Sequence, residues 1–286
     1  MTSLDAMLAS LERARLNREA KSKNPNVEAE GSRVVTDNTV TKSNALARAY
    51  YRFNLIEKRV MEALISKIHP QRLDNPQTLE LSALEYAKAY DVSNSMSYRD
   101  ISKATTGLAT TTLTLERAGG KKGKIEIPLM AIAEHMEDEG RIQCRFNSEF
   151  LPHLMQLSGK FSSYPLKQAA NFTSSYTWRF YELLVSWAQP RNETEGKFMG
   201  WIDKQSVDEL RLMLGVPATY SWAKFEQQVL NTATSELQEK AGIAVFIERV
   251  KTSRKITHLN IKFIEVPKAE DSNKAEKPKR MRKKAA

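Results

Sequence analysis

Between Ile202 and Phe263 the apolar positions change period once, which divides the stretch into two short helices and a hairpin. Val207, Leu210, Met213 and Leu214 fall on one helical stripe. Ser206 and Glu209 stand just before and within it at capping-box spacing, where the hydroxyl takes an orphan amide and the carboxylate reaches back to another. Gly215 and Pro217 then supply a left-handed cap and a residue that cannot continue the helix. The pattern predicts a helix from Val207 and a tight turn after it. A second helix is expected from Ser221, with Trp222, Phe225, Val229, Ala233 and Leu237 on one face and Lys224, Gln227, Gln228, Asn231, Thr234 and Ser235 off it. That outer face is polar and nearly uncharged. Amides and hydroxyls there can donate to and accept from base edges in a major groove, as the second helix of a helix-turn-helix does.

After Gly242 the period becomes two, with Ala244 and Phe246 set against Val245 and Ile247. A second β-rich run, Ile256 to Ile264, follows a polar turn, so the two runs form a hairpin. Between Arg249 and Lys262 it carries Arg249, Lys251, Arg254, Lys255 and Lys262 and no acid, which suits a tip lying on phosphates. Helix, turn, helix and hairpin make a winged helix. Taken alone, the stretch fits a solvated hairpin on an ordinary helical domain equally well.

An internal repeat changes that balance. Shifted by 124, Ser82 and Glu85 fall on Ser206 and Glu209, Tyr86 on Leu210, Tyr90 on Leu214, Val92 on Val216, Ser97 on Ser221, Tyr98 on Trp222, Ile101 on Phe225, Ala109 on Ala233 and Leu113 on Leu237. At a shift of 120, Arg59 to Ser66 matches Arg179 to Ser186, and further on Ile142 to Phe146 matches Leu259 to Phe263. Three collinear matches predict an α+β chain of two tandem winged-helix domains, each a helix-turn-helix plus β-hairpin, related by a pseudo-twofold internal repeat.

A chain of 286 residues suits two such domains. Their expected limits are 1–40 for an N-terminal segment, 41–158 and 159–266 for the two domains, and 267–286 for a basic tail. Leu4, Met7, Leu8 and Leu11 share one helical face in the first segment, which suits a short docking or self-association helix but fits better a nascent helix fraying in a flexible terminus. Lys21 to Thr41 reads as a linker. In the first domain a long helix is expected over Asn44–His69, then a helix-turn-helix over Ser82–Val92 and Ser97–Leu115, whose crowd of threonines invites an early end. Lys121, Lys122 and Lys124 follow a glycine pair but lack the spacing and hydroxyl of a phosphate-cradling loop, so they read as a basic turn before a strand, Ile125 to Ile127. Pro128 to Met136 reads as an inserted turn of helix ending in Glu137, Asp138 and Glu139, acids that repel DNA and suit protein contacts. In the second domain the first helix is expected over Asn171–Trp187, with Tyr176, Phe180, Leu183, Leu184 and Trp187 inward.

The formal charge is +10, and half of that excess lies in the tail. The folded body is thus only mildly basic, and a nucleic-acid surface must be a local patch such as the wing. No apolar run is long enough for a bilayer, no signal peptide is evident, and the one cysteine, Cys144, sits in a strand where packing explains it. A cytoplasmic protein with no membrane partner is expected. Four scattered histidines, His69, His135, His153 and His258, and the lack of a carboxylate cluster argue against a nicking enzyme, so no catalytic residue, metal or cofactor is expected.

The run FLPHLMQLSGKFSSYPLKQAANFTSSYTWRFYELLVSW, then VDELRLMLGVP, then Tyr220 with Phe225 and Val229, then RVKTSRKITHLNIKF, resembles the plasmid replication initiators that bind iterons. The resemblance spans roughly residues 40 to 265 and is strongest in the second half. It implies two winged-helix domains, binding of double-stranded DNA at origin direct repeats as a monomer, dimerisation through the first domain, and repression of the protein's own promoter at an operator inverted repeat. It also implies opening of an adjacent AT-rich region and recruitment of the host replication initiator and replicative helicase. DNA contacts carry over to Lys224, Gln227, Gln228 and Asn231 on the second helix and Lys251, Arg254 and Lys255 on the wing, beside Arg249. In the first domain Arg99, Lys103 and Thr106 take the equivalent face. The family is more basic along the second helix than Ala223, Glu226 and Gln227 are here. Two such modules can enter major grooves one turn apart, about 34 Å. A dimeric transcriptional repressor with no replication role would use the same fold.

Overall fold

The repeat begins earlier in the structure than its first match in the sequence. A computed structural model describes residues 34–68, 78–116, 123–155, 160–190 and 196–266. The N-terminal segment expected to be flexible, most of the linker, Lys121 and Lys122, and the basic tail lie outside the described residues. The first half runs β1 (Thr39–Ser43), α1 (Asn44–Ala47), α2 (Leu55–Ser66), β2 (Leu79–Ser82), α3 (Ala83–Tyr90), α4 (Asn94–Ala109), β3 (Thr112–Glu116), β4 (Lys124–Pro128), β5 (Met130–Met136) and β6 (Arg141–Phe146). The second half answers with β7 (Phe161–Pro165), α5 (Leu166–Ala170), α6 (Ser175–Trp187), β8 (Met199–Ser206), α7 (Val207–Met213), a long helix α8 over residues 222–241, β9 (Ile243–Thr252) and β10 (Lys255–Glu265).

Each half closes with an antiparallel three-stranded sheet, in the order β2-β6-β5 and then β8-β10-β9, with the last strand of each in the middle. The wing of the first domain is therefore β5–β6. The separate hairpin β3–β4 is inserted ahead of it. This corrects the expected helix at Pro128–Met136. Met130–Met136 is a strand that places Ala133 opposite Cys144 on β6, because β6 needs a neighbour for the amides that β2 does not pair. A short apolar run fits either period, and here the ladder decided. The acids Glu137–Glu139 form a 3-10 turn at the tip of this wing.

The expected Asn44–His69 helix is broken. Asn54 accepts from the Glu57 amide while the Glu57 carboxylate accepts from the Asn54 amide, so α2 starts afresh at Leu55 and the chain before it bridges from Tyr50 to Thr114. Ser82 and Glu85 form the same reciprocal box. Ser206 and Glu209 make only half of one: the Glu209 amide donates to Ser206 Oγ, and the Glu209 carboxylate instead faces Gln205 Nε2 at 3.5 Å. Helix α4 starts at Asn94, leaving Ser97 inside it with its hydroxyl given to the Ser93 carbonyl, and it ends at Ala109 before the threonine run turns into β3. Helix α6 starts at Ser175, capped by Ser174. Phe180, Leu183 and Leu184 are buried as expected, but Trp187 is 37 % exposed under the Arg48 guanidinium, and Trp178 fills the core instead.

Strands β1 and β7 pair antiparallel across the two halves, Thr39 with Pro165 and Ser43 with Phe161. The ladder is symmetric about Thr41 and Ser163, whose hydroxyls are 2.8 Å apart, so the pseudo-twofold axis passes between them. Behind it lies a buried ionic cluster. Lys42 donates to both Glu62 oxygens (2.7 and 2.8 Å) and to Glu182 (2.6 Å), and Lys58 donates to Glu62 (2.6 Å) and Glu182 (2.8 Å). Glu62 and Glu182 come from the equivalent helices α2 and α6. Arg179 joins them at 3.0 Å and also donates to the carbonyls of Ala49 and Met213. Tyr164 gives its hydroxyl proton to this carboxylate pair and accepts from Trp178 Nε1. All these groups are buried, so the first half of the chain and the start of the second share one interior.

The turn of the second helix-turn-helix touches the first domain. Gly215 has φ +68°, and a Cβ there would lie 2.7 Å from the Tyr51 carbonyl oxygen and 3.0 Å from Arg52 Cα. Gly215→Ala should lower unfolding free energy by about 2 kcal/mol, the left-handed penalty of roughly 1–2 plus the backbone clash. Urea unfolding of the two proteins checks this, and an unchanged midpoint would refute the close approach.

Candidate nucleic-acid interface

Helix α8 is seated by its apolar stripe and aimed by its ends. Phe225, Val229, Ala233 and Leu237 are completely buried, which leaves Lys224, Gln227, Gln228 and Asn231 exposed together on the opposite side. Ser221 caps the helix by accepting from the Lys224 amide. Arg211 of α7 donates to the Tyr220 carbonyl at 2.7 Å and lies over the Phe225 ring, fixing the turn between the two helices. Lys224 Nζ stands 4.1 Å from the centre of the Tyr220 ring. Further along, the Glu236 carboxylate accepts from the Thr173 amide and hydroxyl and from Lys240. Burial alone would raise its pKa, but Lys240 and these donors hold it below the ordinary value, so Glu236 anchors α8 as a carboxylate.

The wing turns over two residues, Ser253 and Arg254, with Ser253 in the left-handed region (φ 57°). Arg254 thus stands at the apex, flanked by exposed Lys255 and Lys251. None of the three has an acidic partner among the described residues. Arg249 is different: its Nη2 pairs with Glu226 on α8, tying the wing to the helix beside it. Lys262 lies down the strand on the outer sheet face, in register with Trp201 and Phe246, and does not join the tip. Glu226 and Arg211 are the residues that sequence reasoning missed. Glu226 stood out only as a departure from basicity, and a helix-to-strand pair has no sequence period to reveal it.

In the first domain Ile101, Ala104, Thr105 and Leu108 seat α4, leaving Arg99, Lys103 and Thr106 exposed along one side. Arg99 lies 3.3 Å from Asp100, and the Thr106 hydroxyl donates to the Ser102 carbonyl. Ser102 Oγ is 2.9 Å from His135 Nδ1, which links α4 to its wing. That wing ends in the Glu137–Glu139 acids, where its counterpart β9–β10 ends in a basic apex. The two modules therefore differ in charge where they agree in build. Among the described residues no group of three His, Cys, Asp or Glu side chains could hold a metal ion, and burial pushes the Cys144 thiol up to about 12. No helix among them is long and apolar enough to cross a membrane.

The family model for the first winged-helix domain (WH1) of initiator replication proteins matches residues 39–185, and the model for the second (WH2) matches residues 206–263. The chain belongs to the initiator replication protein family. This Rep initiator is thus a DNA-binding replication protein, and its repeated topology is that of two winged-helix domains. Among solved structures, the Pi initiator protein in complex with iteron DNA is similar over 80 % of this chain and 98 % of its own, with a TM-score of 0.63 and 21 % identity. That likeness establishes the shared fold. The WH1 domain of MSBI1.176, a replication protein isolated from a multiple sclerosis patient, aligns over 32 % of this chain with a TM-score of 0.26 and 17 % identity, too low to bear on the fold. No curated protein matches the sequence.

Proposed function

We propose that this Rep initiator starts plasmid replication by binding tandem direct repeats at the origin as a monomer. In this reading α8 reads bases through Gln227, Gln228 and Asn231 with Lys224 beside them, the wing holds phosphates through Lys251, Arg254 and Lys255, and Arg99, Lys103 and Thr106 of α4 meet the neighbouring turn. The observation that carries it is the exposed amide-rich face of α8 beside a wing apex with three unpaired cations. The neighbour solved on iteron DNA shares the whole two-domain arrangement, which supports the same mode here. Opening of an adjacent AT-rich tract, recruitment of the host initiator and helicase, dimerisation through the first domain, repression at an inverted repeat and a cytoplasmic location belong to the same proposal.

Footprinting across the DNA flanking the gene tests it. Tandem repeats protected at equal spacing are expected, whereas protection confined to one inverted repeat in the promoter would leave a repressor without a replication role. Gln228→Ala should reduce discrimination at one base step by about 1–3 kcal/mol while sparing random duplex, measured by competition gel shift. An equal loss on random duplex would remove Gln228 from the reading set.

A further inference from the structure

The sheet of the second domain has two faces, and only one is covered by the described residues. Leu259, Ile261 and Phe263 of β10 point into the core, while Trp201, Lys262 and Phe246 form one cross-strand row on the other side. Trp201 is 47 % and Phe246 64 % exposed, and with Met199 and Ile264 in the next row they line a hollow of about 290 Å³. Lys262 has no acidic partner among the described residues. Two large aromatics on the outer side of a small sheet mark a docking surface, since isolated exposed residues do not form a contiguous hollow.

We propose that residues 4–16 of the same chain dock on this face as an amphipathic helix. Leu4, Met7, Leu8 and Leu11 make the matching apolar stripe, with Arg15 at its end on the same face, where its long stem can carry the charge to the edge. Asp5 and Glu12, seven residues apart, flank the stripe on one side where they can meet Lys262. A helix of this length is marginal alone in water and needs an apolar surface to lie on. It would be about 20 Å long, enough to cross three strands spaced about 4.8 Å apart. Residues 17–33 can extend roughly 55 Å, enough to cover most of the path of about 70 Å halfway around a globule about 45 Å across. The proposal does not rest on the DNA reading.

A nitroxide on Ser10→Cys, on the polar side of the segment, tests the docking in the full chain, because the native Cys144 is buried and spared by the reagent. Of the four tryptophan indole N–H signals, Trp201 should lose the most intensity. The loss should vanish when Leu8→Asp and Leu11→Asp are added. Mixing spin-labelled chains with isotope-enriched, unlabelled ones should leave Trp201 sharp. An unaffected Trp201 in the labelled chain overturns the proposal, as does a loss that survives the two aspartates. Broadening in the mixed sample would assign the face to a second copy instead.

Discussion

Glu182→Gln should lower the unfolding free energy by about 3–5 kcal/mol, the cost of breaking a buried ionic group while its partners stay charged. The substitution keeps the shape of the side chain. It leaves Lys42, Lys58 and Arg179 facing Glu62 as the one remaining carboxylate of a fully buried cluster. By contrast, removing Asp100 from its exposed contact with Arg99 should change stability by less than about 0.5 kcal/mol. Adding Lys58→Met to Glu182→Gln should restore part of the loss, since the second change removes a stranded cation, and that non-additivity is the signature of contact. Urea denaturation of the native protein, Glu182→Gln, Lys58→Met, the double variant and the Asp100 variant reads all of it, and a small effect of Glu182→Gln alone would mean that water reaches the cluster.

Acid should close the same gap. Burial by itself would raise the Glu182 pKa, but Lys42, Lys58 and Arg179 hold it well below the usual 4.5. A carboxyl depressed on folding stabilises fully above its unfolded pKa and loses that contribution as pH falls through the folded value. The difference between native protein and Glu182→Gln should therefore be constant near neutrality and shrink below about pH 4.5. Tyr164 does not complicate the profile, because burial and the two carboxylates push its phenol well above its ordinary value and keep it a donor.

The second large effect belongs to the wing. Replacing Arg254 and Lys255 by alanine should weaken binding to every duplex, repeat or random, and make the log–log salt dependence shallower by about 1.8, or 0.9 for each phosphate released. Folding should be untouched, since both side chains are exposed and unpaired at the hairpin apex. Fluorescence titrations from 50 to about 200 mM salt measure the slope. A slope equal to that of the native protein would take the apex off the phosphate backbone.

The helical stripe at Phe225, Val229, Ala233 and Leu237 and the hairpin after Gly242 were readable in the sequence because each follows one period for long enough. Asn54 defeated the same method in the first domain: the short helix before it ends at Ala47, and the Asn54 side chain caps a new one at Leu55, although the apolar spacing runs on through the break. The short run before Glu137 defeated it differently, since seven residues support either period and the choice was made by an edge elsewhere in the sheet. The ionic cluster left one trace, the Glu62 and Glu182 that coincide in the internal repeat, and nothing to say that they are buried. Lys58 and Glu62 are spaced like an ordinary surface pair, and nothing local says that Lys42 and Glu182 will arrive to bury them.

The self-complementary ladder of β1 with β7 has a further consequence for the target. Reading helices related by a dyad run along a duplex in opposite senses, so each one addresses the opposite strand. α4 and α8 offer different side chains, so under the proposed DNA reading a repeat unit whose halves follow the ladder's dyad should carry two dissimilar half-sites, head to head, inside a motif that is itself copied in one direction.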